Sequence, residues 1–577
     1  MAGSVNLSTK NKNKKQTFLE GAAVLLIATA LVKVLGACFK IPLNWILEDL
    51  AIGYFSTAYN LYLPIYAVAL AGMPVAVCRM VSSFVAKEKY SDARQVLKVA
   101  RMMFLVIGAV GTLAVMLAAQ PYLQYIGENA GAYWSILMLA PCLFFCCVMS
   151  TYRGYYEGLC NMTPTAISQV IEALGKVVIG LAMVFVVRKL GYGPEVQAAA
   201  AMFGIMLGTV FGALYLRLRI WRTGDGFAPE QLTRCGPPSQ TRGATFKALA
   251  IFAVPVIIGS LVNQAGVLVD TVTIQRRLTD LVQQNPDYFQ VNFPEMWAYL
   301  TKETTSLVEL KAAIPTYFYG SYSGLAFSIY NLVPTITSVL GVSALPIITA
   351  SYTAGKKEET KTTLEAVYRI TSMVAMPAGF GIAALSNGIL HLLYSNKPIM
   401  ADIATPTLTV LGFAVVFGAL SLPMTNLLQA VGKERIPVIN MFIGTLIKIG
   451  LNYWLVGQTR FNIAGGAIGT LACYVFICAA DYICLVRYTK IIPNLMAAFV
   501  KPLIAASLCG ISAWAGYGLI SRFLSSQSLS TVISIAIGAV VYLLAVFLLK
   551  IITKNDVFML PKGEKIAKVL EKFHLIG

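Results

Sequence analysis

Fourteen stretches of this sequence are apolar over about 20 residues or more, the length at which a helix crosses the ~30 Å hydrocarbon core of a bilayer. They lie near 17–47, 52–86, 95–119, 131–156, 162–187, 195–220, 244–275, 318–351, 365–390, 404–430, 436–457, 463–488, 498–520 and 530–553. In lipid a spanning segment must satisfy its own backbone hydrogen bonds, and unbroken runs of this length do so as helices. The chain is 57% hydrophobic and 12% charged, against roughly 25% charged in soluble domains. The expected fold is an all-α integral membrane protein with about 14 transmembrane helices. Secreted disulfide-stapled and disordered chains are excluded.

The charge balance is +19, from 45 Lys and Arg against 26 Asp and Glu. Topology explains that excess without nucleic acid, because inward-facing loops gather basic residues. With the N-terminus inside, inner segments hold 30 of the 45 basic residues and outer segments nine. Both termini are therefore expected on the cytoplasmic side. Lys10, Lys12, Lys14 and Lys15 precede the first run, and Leu35-Gly36-Ala37-Cys38 mimics a lipoprotein cleavage box. Lys33 interrupts that run and apolar character continues to Leu47, so a retained helix is expected rather than a cleaved signal.

Nine of the 11 cysteines fall in apolar runs, and His391 and His574 are the only histidines. No zinc-type spacing is present, so no metal, disulfide or cofactor is expected.

The chain repeats itself. Tyr59-Asn60, Pro64, Gly72 and Pro74 lead into Lys87-Glu88-Lys89, as Tyr330-Asn331, Pro334, Gly341 and Pro346 lead into Lys356-Lys357-Glu358-Glu359. Gly158, Pro164 and Lys176 likewise answer Gly432, Pro437 and Lys448. An offset near 270 residues, spanning an even number of helices, gives two six-helix copies in the same orientation, a known transporter plan. The expected organisation is an N-lobe over 1–220, a cytoplasmic linker over 221–243, and a C-lobe over 244–488. The C-lobe carries an outer insertion at 276–317, read as a cap with a surface amphipathic helix. Two further helices and a basic tail occupy 489–577.

Ionisable groups inside spans are costly and mark function. Six basic residues lie there: Lys33, Lys40, Arg79, Lys176, Arg369 and Lys448. Facing lipid at mid-membrane they would together cost about 15–20 kcal/mol, more than a fold's whole stability of ~5–15 kcal/mol. Some must snorkel, with Arg369 nearest an inner end, and the rest must line water or meet anions. Glu172 stands four residues from Lys176, a spacing that permits an ion pair, and Asp270 and Asp481 are further acids at depth. Lys33, Lys40 and Arg79 have no acid at helical spacing, which points to an anion site. A diphosphate head group suits Lys and Arg. Carrying two negative charges outward across ~100 mV, inside negative, is favourable by about 4.6 kcal/mol. Such export needs no ATP, and no GxxxxGK[ST] occurs in the chain.

Gly36 to Pro42 (GACFKIP), the Gly72-Met73-Pro74-Val75-Ala76 turn and the basic loop after it resemble the SpoVB/YtgP-type polysaccharide-biosynthesis family of the MOP exporter superfamily. That superfamily also holds MurJ lipid II flippases, Wzx-type flippases and MATE drug exporters. The resemblance spans nearly the whole chain. It implies two lobes around a central cavity, alternating access, and a bacterial cytoplasmic membrane location. It also implies a polyprenyl-diphosphate-linked saccharide as substrate, with lipid II first among candidates. Lys33, Lys40 and Arg79 stand where MurJ-type proteins carry cavity cations. The family's eighth-helix arginine has no counterpart between Tyr317 and Ala354, and Lys176 and Lys448 are the candidates to supply that charge. Glu172, Asp270 and Arg369 are candidate accessory or coupling residues, with membrane potential, H+ or Na+ as the drive. Expected partners are membrane lipids and cell-wall synthesis proteins, with the transporter itself a monomer. A MATE-like cation-coupled drug exporter is the alternative, and it would want acids in the cavity. A membrane enzyme has little to catalyse with, and a non-transporting scaffold would tolerate loss of the cations.

Overall fold

The computed structural model describes residues 18–551 apart from 68, 70–72, 128–129, 225, 228–236 and 495, and at scattered helical positions it describes the backbone alone. The N-terminal lysines 10–15, the Gly72 turn and most of the basic tail lie outside the described residues.

Every long apolar stretch is helical, as backbone self-satisfaction in lipid requires. The first half comprises α1 (Phe18–Ile46), α2 (Asp49–Ala67), α3 (Met73–Ala86), α4 (Tyr90–Gly127), α5 (Tyr133–Gly158), α6 (Thr163–Lys189) and α7 (Pro194–Thr223). The second half opens with α8 (Arg242–Gln284), followed by α9 (Pro286–Asn292), α10 (Pro294–Glu303) and α11 (Leu307–Tyr319). A π-helical segment, Gly320–Ala326, leads into α12 (Phe327–Tyr330) and α13 (Leu332–Thr353). Then come α14 (Lys357–Ala384), α15 (Ser386–Leu393), α16 (Pro398–Ala430), α17 (Arg435–Val456) and α18 (Ala464–Thr489). α19 (Lys501–Ile520) and α20 (Gln527–Leu548) form a final hairpin packed on α14 and α15.

Among the described residues ten helices are long and apolar enough to cross a membrane, or eleven if α14 and α15, bent by 86°, count as one. The count of fourteen is not reproduced, although all fourteen expected stretches fall on helix. The stretch at 52–86 is divided between α2 and α3, and that at 318–351 is interrupted by the π-helical segment. The stretch at 244–275 lies inside the 43-residue α8.

The repeat is visible in the packing. In the first half α1 packs on α6, α3 on α4 and α5, α4 on α5, and α7 on both α5 and α6. In the second half α8 packs on α17, α13 on α14 and α16, α14 on α16, and α18 on both α16 and α17. Each partner in one half has its equivalent in the other.

The outer insertion differs from the expected surface helix. Its two short helices fold inward: Phe289, Met296 and Leu300 are fully buried. Phe289 and Phe293 set their rings 5.5 and 5.0 Å from Phe318. The Tyr288 hydroxyl donates to the Thr459 carbonyl at 2.7 Å. The aromatic residues that suggested a membrane-surface helix instead build a small core against the second half. The linker ends where Asp92 accepts from the Ser239 amide at 2.8 Å and its hydroxyl at 2.9 Å. Thr241 then caps α8 by accepting from the Ala244 amide, as N-caps do.

Helices meet closely at small residues, the usual solution in membranes. A Cβ built on Gly208 of α7 would stand 2.6 Å from the Glu172 carbonyl oxygen and 2.8 Å from the Lys176 amide of α6. Gly208→Val therefore overpacks the helix pair that carries Lys176, at a cost of about 1–3 kcal/mol. The melting temperature of the detergent-solubilised protein should fall. Gly450→Ala, where nothing lies within 4 Å of the added carbon, should leave it unchanged or raise it.

Candidate functional site

Between the two halves lies a cavity of about 660 Å³. Its walls come from both repeats: α1, α2 and α6 on one side, and α8, α12, α13, α17 and α18 on the other. Four of the five expected cations, Lys33, Lys40, Lys176 and Lys448, line it. Lys33 and Lys40 are brought there by one face of α1, being two helical turns apart.

These four lysines divide into two kinds. Lys448 is buried and ion-paired, its Nζ 2.7 Å from Asp270 Oδ2 of α8. The Asp270 carboxylate also accepts from Asn452 Nδ2 at 2.9 Å and from the Tyr322 hydroxyl at 3.1 Å. Its negative charge is thus fully engaged by its own half.

Lys33, Lys40 and Lys176 make no salt bridge among the described residues; their partners are neutral. Lys33 reaches across to α13, donating to the Thr335 carbonyl at 3.3 Å and to the Ser338 hydroxyl. Lys40 donates to the Ser323 carbonyl at 3.3 Å. Lys176 donates to the Tyr59 hydroxyl at 3.2 Å and stands 5.1 and 5.0 Å from the ring centroids of Phe39 and Tyr59. Lys40 lies 6.0 Å from that same Tyr59 ring. Two amines therefore share one aromatic ring, where a cation is held electrostatically without being neutralised.

Glu172 does not pair with Lys176. Its carboxylate takes Arg153 Nη2 of α5 at 3.0 Å and the Tyr66 hydroxyl at 2.7 Å. Arg153, which the charge count assigns to an inner loop, is 4% exposed and also donates to Ser168 Oγ at 2.9 Å. The rigid, bidentate-capable guanidinium takes the carboxylate. The neighbouring amine is left for the cavity.

Arg79 lines no part of the cavity. It is exposed on α3, with its guanidinium stacked 4.5 Å from the Phe252 ring centroid of α8. Arg369, expected to snorkel, is 5% exposed within the second half, and it too stands apart from the cavity walls.

Sequence reasoning missed the aromatic wall. Phe55 and Tyr59 stack at 5.5 Å and line the cavity with Tyr66, whose ring is backed by Tyr62 at 5.0 Å. In the second half Phe327 and Tyr330 stack at 5.0 Å, with Tyr474 6.2 Å further on. The repeated Tyr-Asn pairs were the available signal, since Tyr59, Asn60 and Asn331 all face the cavity.

One end of the cavity is sealed by contacts between the halves. Asn44 Nδ2 donates to the Gly324 carbonyl at 2.8 Å, and Asn60 Nδ2 donates to Tyr319 and Ser323, both at 2.8 Å. Asp49 pairs with Lys397, 6% exposed, and accepts from the Tyr317 hydroxyl at 2.9 Å. A Cβ on Gly53 would collide with the Thr316 carbonyl, so the backbones of α2 and α11 approach as closely as glycine permits.

Removing one partner of a buried pair strands the other charge, at a cost of about 3–5 kcal/mol. Asp270→Ala should therefore lower the melting temperature markedly. Asp270→Leu combined with Lys448→Met should recover most of the loss, because two apolar groups replace the pair without a stranded ion. Equal melting of Asp270→Ala and the unaltered protein would contradict a charged Lys448 at this place.

The family model for "Polysaccharide biosynthesis protein" matches residues 18–353, and the MatE model matches residues 321–454. The chain is 24% identical to the lipid II flippase MurJ of Bacillus subtilis (strain 168) over 542 residues, covering 91% of this chain and 94% of that protein. It is 20% identical to stage V sporulation protein B of the same organism over 552 residues, covering 95% and 98%. Among solved structures, the lipid II flippase MurJ in an inward closed conformation superposes with a TM-score of 0.62 at 14% identity, over 91% of this chain and 98% of that one. An inward-facing multidrug resistance MATE family transporter of the MOP superfamily gives 0.58 at 14% identity, over 80% and 98%. With more than half its length matched, the chain belongs to the polysaccharide biosynthesis protein family, and it has the helical fold shared by MurJ and the MATE transporters.

Proposed function

We propose that this protein is a flippase, not an enzyme, that moves a polyprenyl-diphosphate-linked saccharide such as lipid II from the inner to the outer leaflet of a bacterial cytoplasmic membrane. The observation that carries the reading is the trio Lys33, Lys40 and Lys176, three cations in one cavity without a carboxylate partner among the described residues. Cations held this way in a low-dielectric space stabilise an anion strongly, and phosphate oxygens accept charge-assisted hydrogen bonds from amines. The aromatic wall offers flat faces to sugar rings or to an isoprenoid chain. The relative called lipid II flippase MurJ fits the same substrate class.

With both termini cytoplasmic, as the charge distribution suggests, the sealed end lies outward and the cavity serves the inner leaflet. Alternating access would then break the Asp49–Lys397 seal to release the head group outside. The outward pull of the membrane potential on a diphosphate supplies a drive without ATP; H+ or Na+ could add to it. The protein works as a monomer beside membrane lipids, with cell-wall synthesis proteins as its neighbours.

The match to the MatE model supports a second reading, a cation-coupled drug exporter. A cationic drug requires an available acid, whereas Glu172 and Asp270 are both taken by Arg153 and Lys448.

The test is rescue of a strain depleted of its own lipid II flippase. The unaltered gene should restore growth. Lys33→Ala, Lys40→Ala and Lys176→Ala combined should not, at equal membrane expression. Single substitutions should weaken binding of the diphosphate lipid about tenfold or more, since a charged hydrogen bond contributes ~1.5–3 kcal/mol. Full rescue by the triple variant would refute the lysine cavity as the substrate site.

A further inference from the structure

One acid in the second half has no role in the lysine cavity. Asp481 of α18 is fully buried. Oδ1 accepts from Asn440 Nδ2 of α17 at 2.8 Å, and Oδ2 faces Thr425 Oγ1 of α16 at 3.3 Å. No basic group forms an ion pair with it among the described residues, whereas the comparably buried Asp270 and the half-buried Glu172 each hold one. Two neutral donors do not offset the burial of an ionised carboxylate at membrane depth. Burial without an ion pair favours a proton or a bound cation on the group.

The surroundings favour the proton. From α14 comes Tyr368, whose ring lies 6.5 Å from that of Tyr482, the next residue along α18. The Tyr368 hydroxyl is buried without a hydrogen-bond partner. α16 brings Thr425 and the uncharged Met424, whose sulfur accepts from Cys478 at 3.6 Å. α17 brings Asn440, while Lys433, Glu434 and Arg435 at its start are exposed, as is Arg487 further along α18. A metal cation needs oxygen lone pairs, yet Asn440 turns its amide hydrogens to the carboxylate. Protonated, Asp481 keeps both contacts: one oxygen still accepts from Asn440, and the acid O–H donates to Thr425 Oγ1 once that hydroxyl, which here donates to Oδ2, turns away.

Position links this acid to the cavity. Cys473, Tyr474 and Ile477 of α18 line the cavity, and Asp481 continues the same face one turn, ~6 Å, past Ile477. Met441, the residue after Asn440, lines it too. Ile477, 1% exposed, is the cavity-lining residue one helical turn from the acid. Movement of α18 against α16 and α17 would open a short path from the acid to the cavity.

We propose that Asp481 is a proton-exchange site of the second half, protonated in this conformation and able to release its proton to cavity water when Ile477 is displaced. The step balances as a carboxylic acid giving one proton to water and leaving a carboxylate. It is independent of what the lysine cavity carries.

Infrared difference spectroscopy of the full-length protein in lipid, between neutral and strongly alkaline buffer, reads the carbonyl stretch of a buried carboxylic acid directly. The unaltered protein should show that band at neutral pH. Asp481→Asn, which keeps the shape and the contacts, should lose it, and Asp270→Asn should keep it. Thr425→Val leaves the acid in place and removes its hydroxyl neighbour, so it should shift the band without abolishing it; this variant guards against a folding defect in Asp481→Asn. Absence of the band in the unaltered protein, or its persistence in Asp481→Asn, would overturn the proposal. Loss of the band on adding sodium chloride at constant pH would overturn it in favour of a bound cation.

Discussion

The arrangement rests on keeping three amines away from carboxylates at membrane depth. An unpaired ammonium there is unfavourable by several kcal/mol, and an adjacent acid would remove the cost together with the attraction for an anion. The first half resolves this by giving Glu172 to Arg153 of α5 and to Tyr66. Lys176, one turn from that acid, then rests on the faces of Phe39 and Tyr59. Carbonyls of the opposite half meet Lys33 and Lys40. The amines are solvated by dipoles and π-faces that a phosphate can outbid.

The internal repeat makes the asymmetry between the halves informative. Lys176 on α6 and Lys448 on α17 are equivalent positions, and the helices that face them, α1 and α8, are equivalent as well. α8 presents Asp270 to Lys448, and the pair is closed. α1 instead presents lysines, with Lys40 sharing the Tyr59 ring with Lys176. One scaffold thus carries an acid–base contact in one copy and two amines around one tyrosine ring in the other. Repulsion between amines that packing holds in place is a stored preference for an anion, available only in the first half.

Much of this was legible in the sequence because bilayer physics leaves few options. Length and hydropathy placed the long apolar stretches on helix, though not the division at 52–86 or the short helices of the outer insertion, and matched Tyr-Asn, Gly and Pro positions gave the two-copy plan. Spacing along a helix placed Lys33 and Lys40 on one face. Partner choice was not legible, because it depends on contacts between helices distant in the chain. Glu172 has Lys176 four residues away, yet it bonds Arg153, 19 residues back on another helix. Arg79 lies at cavity-like depth in the sequence but takes Phe252 of α8. The aromatic cap at 286–303 reads as amphipathic in isolation and becomes a core only when Phe318 is brought beside it.

One irregular segment lies where the halves meet. The fully buried π-helical segment Gly320–Ala326 of the second half packs against α2 of the first. A π-turn leaves backbone groups less rigidly committed than an α-helix does, and such turns recur at functional sites. At membrane depth they are tolerated only when covered by protein or facing a cavity. Here the Gly324 carbonyl meets Asn44 and the Ser323 carbonyl meets Lys40. The same segment thus holds one end of the seal and one of the unpaired amines. An anion that drew Lys40 away from Ser323 would loosen a contact of the closed end, tying occupancy of the cavity to the opening of its seal through a single helical turn.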